Sequence, residues 1–155
     1  MLRVRDPKIS LPFYAEVLGA ILIEKFDFED MGFSLYFLGF KAGFNSPMPE
    51  NRSERIVWLA KQSGVLELTH NYGTESNSDF DGYHDGNKAP QGFGHICISV
   101  PDVYAACERL EKLGIEFIKH PDDGSMRGIA FIKDPDGYWI EIFSPTSLKE
   151  IIITE

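Results

Sequence analysis

The chain has 155 residues, 43% of them hydrophobic and 25% charged, the makeup of one ordinary globular domain or two small fused modules. Its formal net charge of -9 argues against nucleic acid or an anionic membrane as the main partner. No apolar run approaches the roughly 20 residues of a membrane span, and no basic start with an apolar stretch marks a signal peptide. Cys97 and Cys107 stand in unrelated contexts that suggest neither a disulfide framework nor a zinc motif, so a cytoplasmic protein with reduced thiols is expected.

In chain order, "MLRVRDPKISLPFYAEVLG" predicts a short strand, an Asp and an amphipathic helix. Ser10 is expected to cap that helix, Pro12 to be tolerated in its first turn, and Leu11, Tyr14, Ala15 and Leu18 to form its apolar stripe, with Gly19 as the stop. Strands are expected in "AILIEKFDF", "FSLYFLGF", "RIVWLAK" and "VLELTHN", with an insertion around "KAGFNSPMPENRSE". Residues 72–91 are polar and rich in Gly, Asn and Asp, and read as a linker. The pattern then restarts with "HICISVPDVYAACERLEKLG". Here Asp102 is the expected cap, Val103, Ala106, Cys107, Leu110 and Leu113 the stripe, and Gly114 the stop. Three more strands follow in "IEFIKH", "GIAFIKD" and "YWIEIFSP", the last launched by the turn "DPDG". The repeat defines an α+β chain of two tandem βαβββ modules. The first spans 1–71, the linker 72–91 and the second 92–155, which includes a tail, "SLKEIIITE", amphipathic enough to pack against a partner.

Side chains alternate along a strand. Trp139, Glu141 and Phe143 therefore share one face, and Ile140 and Ile142 the other. His95, Cys97 and Ser99 share a face opposite Ile96, Ile98 and Val100, and Glu67 lies with Val65, Thr69 and Asn71. Singly, a Glu in a strand most often reaches solvent at an edge. What singles these residues out is correspondence, because "LEL" around Glu67 matches "IEI" around Glu141. If the polar faces of the two halves come together, Glu67, His95 and Glu141 form a site for a hard-to-borderline divalent metal. His95 precedes Asp102 by seven residues (102 − 95), and the same step back from Asp6 falls ahead of Met1. A fourth ligand is therefore expected just upstream, and a chain beginning at Met1 is expected to hold the ion more weakly. His70 faces away from Glu67, His84 falls in the linker and His120 sits beside a Pro, so structural or solvent roles are expected for all three.

The segments "LELTHN", "GFGHI" and "DPDGYWIEI", together with "FSLYFLG" and "VPDVY.AC", closely resemble glyoxalase I (lactoylglutathione lyase) of the vicinal-oxygen-chelate superfamily, from Met1 to about Pro145. The inserts resemble its eukaryotic, typically zinc-using branch more than the shorter nickel branch. The resemblance implies a metal-dependent lyase acting on the hemithioacetal of methylglyoxal and its co-substrate glutathione, and forming S-lactoylglutathione by proton transfer through an enediolate. It also implies a homodimer with shared active sites, where Glu67 of one chain joins His95 and Glu141 of the other. The matching metal ligands are Glu67, His95 and Glu141, with zinc the expected ion and nickel the alternative. The remaining family ligand is a Gln or His two residues ahead of Met1. Glu141 is the implied base and Glu67 its partner on the opposite stereochemical face. Arg3, Asn71 and Lys119 match glutathione binders, with Met126 near the tripeptide. Phe131, Met126 and Trp139 suit an apolar pocket wall. Gln91 stands where the family usually has Arg, and Lys119-His120 replaces a lysine pair; the uncharged Gln91 weakens the expected hold on glutathione. Two other readings carry the same fold. One is a non-catalytic binding module, and the other a different superfamily metalloenzyme such as a dioxygenase or epimerase. An iron dioxygenase wants two histidines and one carboxylate, whereas two matched glutamates favour proton transfer.

Overall fold

The computed structural model describes residues 1–153; Thr154 and Glu155, the end of the expected tail, lie outside the described residues. The chain divides into two compact units, Met1–Tyr83 and His84–Glu155.

In the first unit the strands are β1 (Leu2–Val4), β2 (Ile21–Phe28), β3 (Phe33–Gly39) and β4 (Leu66–Asn71). They form one sheet in the order β1-β4-β3-β2, with β1 parallel to β4 and the other pairs antiparallel. In the second unit β5 (His95–Ser99), β6 (Phe117–Lys119), β7 (Ala130–Lys133) and β8 (Trp139–Phe143) repeat the scheme as β5-β8-β7-β6, and β5 is parallel to β8. A parallel neighbour needs a crossover longer than a hairpin. Each unit therefore returns its last strand beside its first, and this is the βαβββ repeat read from the sequence.

The helices are α1 (Pro7–Pro12), α2 (Arg52–Leu59), α3 (Val103–Lys112) and α4 (Pro145–Ile152). In α3, Asp102 caps by accepting from the Ala105 N–H at 3.1 Å, and Val103, Cys107 and Leu110 are buried. Leu113, expected in that stripe, is exposed at the helix end. In α1 the cap is Asp6, not Ser10: the Asp6 carboxylate accepts from the Lys8 N–H at 2.8 Å, while buried Ser10 turns its hydroxyl back to the Asp6 carbonyl. Pro12 ends α1 instead of opening it, since it has no N–H to continue the ladder. The chain goes on as a π turn, Phe13–Val17, which buries Phe13 and Tyr14 and leaves Ala15 exposed.

The segment 55–61, expected as a strand, lies mostly in α2 and the turn after it. Asn51 caps it by accepting from the Glu54 N–H, and Trp58 and Leu59 are buried while Val57 is exposed. Strand alternation would have paired Val57 with Leu59. α2 packs Trp58 and Leu59 with Ile23, Phe26, Phe37, Phe44 and Val65.

A charged clamp fixes α2 on β2. Glu24, buried on β2, accepts from Arg52 Nε at 3.2 Å and from both Nε and Nη2 of Arg55 at 3.3 and 3.0 Å. Burial alone would raise the Glu24 carboxyl; the Lys25 N–H and the two guanidinium groups outweigh it and hold it below the usual carboxylate range. Since the folded pKa is below the unfolded one, the clamp stabilises above the usual carboxylate range and its contribution is lost as pH falls through the depressed value. Glu24→Gln should thus cost about 1–2 kcal/mol at neutral pH. Urea unfolding checks this: the gap from wild type should close in acid, and a gap that persists there would remove the charge as its cause.

Candidate active site

The second unit builds a cluster from strand register. Cys97 on β5 lies opposite Glu141 on β8, His95 opposite Trp139, and Phe131 on β7 opposite Glu141. All five project from one face; Ile140, Ile142 and Ile132, of opposite parity, are fully buried on the other. The register begins at the turn before β8, where Asp134 Oδ1 accepts from the Asp136 and Tyr138 N–H groups at 3.0 and 2.8 Å and Gly137 takes φ +90°.

Glu141 Oε2 lies 3.2 Å from His95 Nε2 and 3.1 Å from Cys97 Sγ, which donates to it. One donor atom each from His95, Cys97 and Glu141 fall within 4.8 Å of one another. The Glu141 side chain is 15% exposed, so this carboxylate is largely withdrawn from water and takes its partners from the protein. The His95 ring stands edge-on to Phe131 with centroids 5.1 Å apart, and Phe131 in turn meets Trp139 at 5.9 Å. The Cys97 thiol is pushed up to about 11, first by lost solvation and then by the Glu141 carboxylate beside it. Imidazole, carboxylate and thiol are donors that suit a borderline divalent cation, and their spacing fits one.

Glu67 belongs to the first unit. It lies opposite Phe37 and accepts from Thr69 Oγ1 at 3.4 Å. It is the one carboxylate lining a cavity of about 430 Å³ whose other walls include Met1, Phe26, Phe37, Ile56, Leu59 and Val65. Arg3 lies opposite Thr69, on the Glu67 side of the sheet. Asn71 donates through Nδ2 to Tyr83 Oη at 3.1 Å. In the second unit Lys119 donates to the carbonyls of His120 and Ile129 at 3.1 and 2.7 Å, and burial pushes its ammonium below the usual lysine range against the pull of Asp123 and Asp122. Gln91 is exposed in the segment before β5, and Met126 is exposed in the turns between β6 and β7. Of the three apolar residues expected around the site, Phe131 and Trp139 stand beside His95. The other histidines have local partners: His70 with Glu75 at 2.8 Å, His84 with the Pro90 carbonyl at 2.9 Å and His120 with Glu111 at 3.1 Å.

Cys97 is the residue that sequence reasoning missed as part of the site. Counting cysteines found no motif, yet alternation had already put Cys97 on the His95 face.

This is the fold and polar sheet face of a metal-dependent superfamily built from paired βαβββ modules. The chain belongs to the Glyoxalase/Bleomycin resistance protein/Dioxygenase superfamily, which matches residues 1–142. It is 54% identical over 148 residues to a lactoylglutathione lyase of Pseudomonas putida, covering 96% of this chain and 84% of that one. It is 55% identical over 142 residues to a lactoylglutathione lyase of Pseudomonas aeruginosa, covering 92% and 78%. Among solved structures it resembles a trypanothione-dependent glyoxalase I from Leishmania major with TM-score 0.69 and 31% identity, covering 97% of this chain and 86% of that one.

His95 is delivered by a braced segment. The Gly92 N–H donates to the Gly86 carbonyl at 2.9 Å, and Asn87 Nδ2 donates to the Gly94 carbonyl at 2.8 Å. Gly86 has φ +81°, and a Cβ there would come within 2.1 Å of the Phe93 carbonyl oxygen. Gly86→Ala should cost at least about 1–3 kcal/mol and displace the backbone two residues ahead of His95. The melting temperature and the affinity for a divalent metal should both fall; an unchanged melting temperature would contradict the close approach.

Proposed function

We propose that this chain is a glyoxalase I, a lactoylglutathione lyase that isomerises the hemithioacetal of glutathione and methylglyoxal. The observation that carries the reading is the His95–Glu141 pair, 3.2 Å apart on one sheet face, in a chain 54% identical to a lactoylglutathione lyase over most of its length. His95 Nε2 and a Glu141 oxygen hold the divalent cation, and zinc suits this donor set, with nickel the alternative. When bound, the cation stabilises the negative charge that develops on the substrate oxygens. Glu141 takes the proton from the carbon beside the carbonyl and returns it to the neighbouring carbon. Phe131 and Trp139 keep that face apolar and hold the His95 ring. Glu67 serves the opposite stereochemical face, and its cavity receives the small apolar end of the substrate.

The protein acts as a homodimer in which Glu67 of one subunit joins His95 and Glu141 of the other. Arg3 and Lys119 offer cations to the glutathione carboxylates, and Asn71, Gln91 and Met126 contribute neutral contacts; Gln91 makes this grip weaker than an Arg would. Each module, 1–71 and 92–155 with 72–91 between them, supplies half of the arrangement. A cytoplasmic location fits the reduced thiols Cys97 and Cys107; among the described residues no helix is long and apolar enough to cross a membrane.

Following thioester formation in ultraviolet absorbance tests the chemistry. A chelator should abolish turnover, and zinc or nickel should restore it. Glu141→Gln should lower kcat by roughly 10²–10⁴-fold while the protein stays folded, and near-wild-type turnover would remove Glu141 as the base. Mixing inactive Glu67→Gln and Glu141→Gln proteins tests the shared site. Exchanged dimers should regain partial activity, and none would be regained if each site lay within one chain.

A further inference from the structure

We propose that Glu24 is a positioning residue for the cavity beside Glu67: through Arg52 and Arg55 it fixes the α2 wall of that cavity and so sets how well a bulky side group on the substrate is accepted. The proposal rests on the reading of that cavity as the receiver of the substrate's apolar end, and it names a residue outside the cavity that governs its shape.

Three features of the first unit carry it. The first is register. Glu24 pairs with Phe37, and Phe37 pairs with Glu67, so one cross-strand row runs from the clamp through a cavity wall to the cavity carboxylate. The ladder shifts between Leu22 and Glu24, and Ile23 and Glu24 are both buried there. Ile23 meets Trp58 and Leu59, while Glu24 takes the two arginines. The second feature is helical spacing. The cavity residues Ile56 and Leu59 stand one turn after Arg52 and Arg55 (56 − 52 and 59 − 55). Residues so spaced share a helix face. Holding both guanidinium groups therefore fixes the rotation of α2, and with it the placement of Ile56 and Leu59. The third is reinforcement around the clamp. Arg55 Nη1 donates to the Pro49 and Glu50 carbonyls at 3.2 and 2.9 Å, which ties down the segment leading into α2. Arg52 lies over the ring of Phe26, another cavity wall, at 5.9 Å from its centroid.

The consequence for selectivity follows from area. Trp58 and Leu59 anchor the last turn of the eight-residue α2 by apolar packing, and the clamp anchors its first. So short a helix keeps its place through such tertiary contacts. A methyl group is far smaller than a cavity of about 430 Å³, whereas a phenyl ring reaches the wall that Ile56 and Leu59 form. Apolar contact scales with the area buried, so a displaced wall costs the ring more than the methyl.

Steady-state kinetics with the glutathione hemithioacetals of methylglyoxal and of phenylglyoxal test this, read by thioester absorbance. Glu24→Gln should lower kcat/KM for the phenyl adduct roughly 10-fold relative to the methyl adduct. The loss should fall on KM, because the groups that move the proton are untouched. Arg55→Gln, whose arginine side chain is 21% exposed, should at least match it. Arg52→Gln, at 62% exposed, should shift the ratio less and in the same direction. A purely structural clamp would lower the melting temperature and leave the phenyl-to-methyl ratio of the folded protein unchanged, and that result overturns the proposal. Equal losses for the two adducts, or a loss confined to kcat, overturn it as well. Should Glu24→Gln fail to fold, Arg52→Gln, which keeps the Arg55–Glu24 pair, decides by the same ratio. Wild-type protein that turns over neither adduct would overturn the proposed function and this proposal with it. Normal wild-type turnover with an unaltered ratio in the variants overturns the positioning role alone.

Discussion

One carboxylate sets the terms for the second unit. Glu141 stands between Ile140 and Ile142, both essentially without solvent contact, on the central strand β8 of a four-stranded sheet. A charge so placed needs partners, since an unpaired buried carboxylate is costly. The parallel pairing of β5 with β8 supplies them by bringing His95 and Cys97 to a single Glu141 oxygen. That pairing depends on the crossover through α3, whose Asp102 cap and buried stripe define where β5 ends. It also depends on the Asp134 turn that starts β8.

The first unit repeats the topology with a different emphasis. Its corresponding carboxylate, Glu67, opens into an apolar cavity partly walled by α2, an element with no counterpart among the described residues of the second unit. The Glu24 clamp with Arg52 and Arg55 places α2. A charged clamp beside an apolar cluster fixes the orientation of a short helix that propensity alone would leave marginal.

Much of this was legible because its signals are periodic or local. Period-2 alternation placed His95 and Glu141 on one face, the Asp102-to-Gly114 pattern marked α3, and the internal repeat gave the module order. The misses have equally local causes. In 55–61 the run Ile56, Val57, Trp58, Leu59 reads as β by composition; the deciding cap, Asn51, lies upstream of the run. For α1, Ser10 is a residue type that caps, but Asp6 stands at the first turn with the better-placed oxygen. Cys97 belongs to no paired-cysteine motif. Its meaning comes from the cross-strand partner Glu141, which only register reveals.

In the proposed function His95 and Glu141 hold the catalytic cation together. The most direct measurement is nitrogen-15 NMR of the histidine rings while zinc is added to the metal-free protein. The chain has four histidines, and three of them have other partners in the fold. The His95 Nε2 resonance should move to a metal-bound position at one equivalent of zinc, and Glu141→Gln should weaken the zinc dependence. A His95 signal that stays put while zinc binds elsewhere would contradict it.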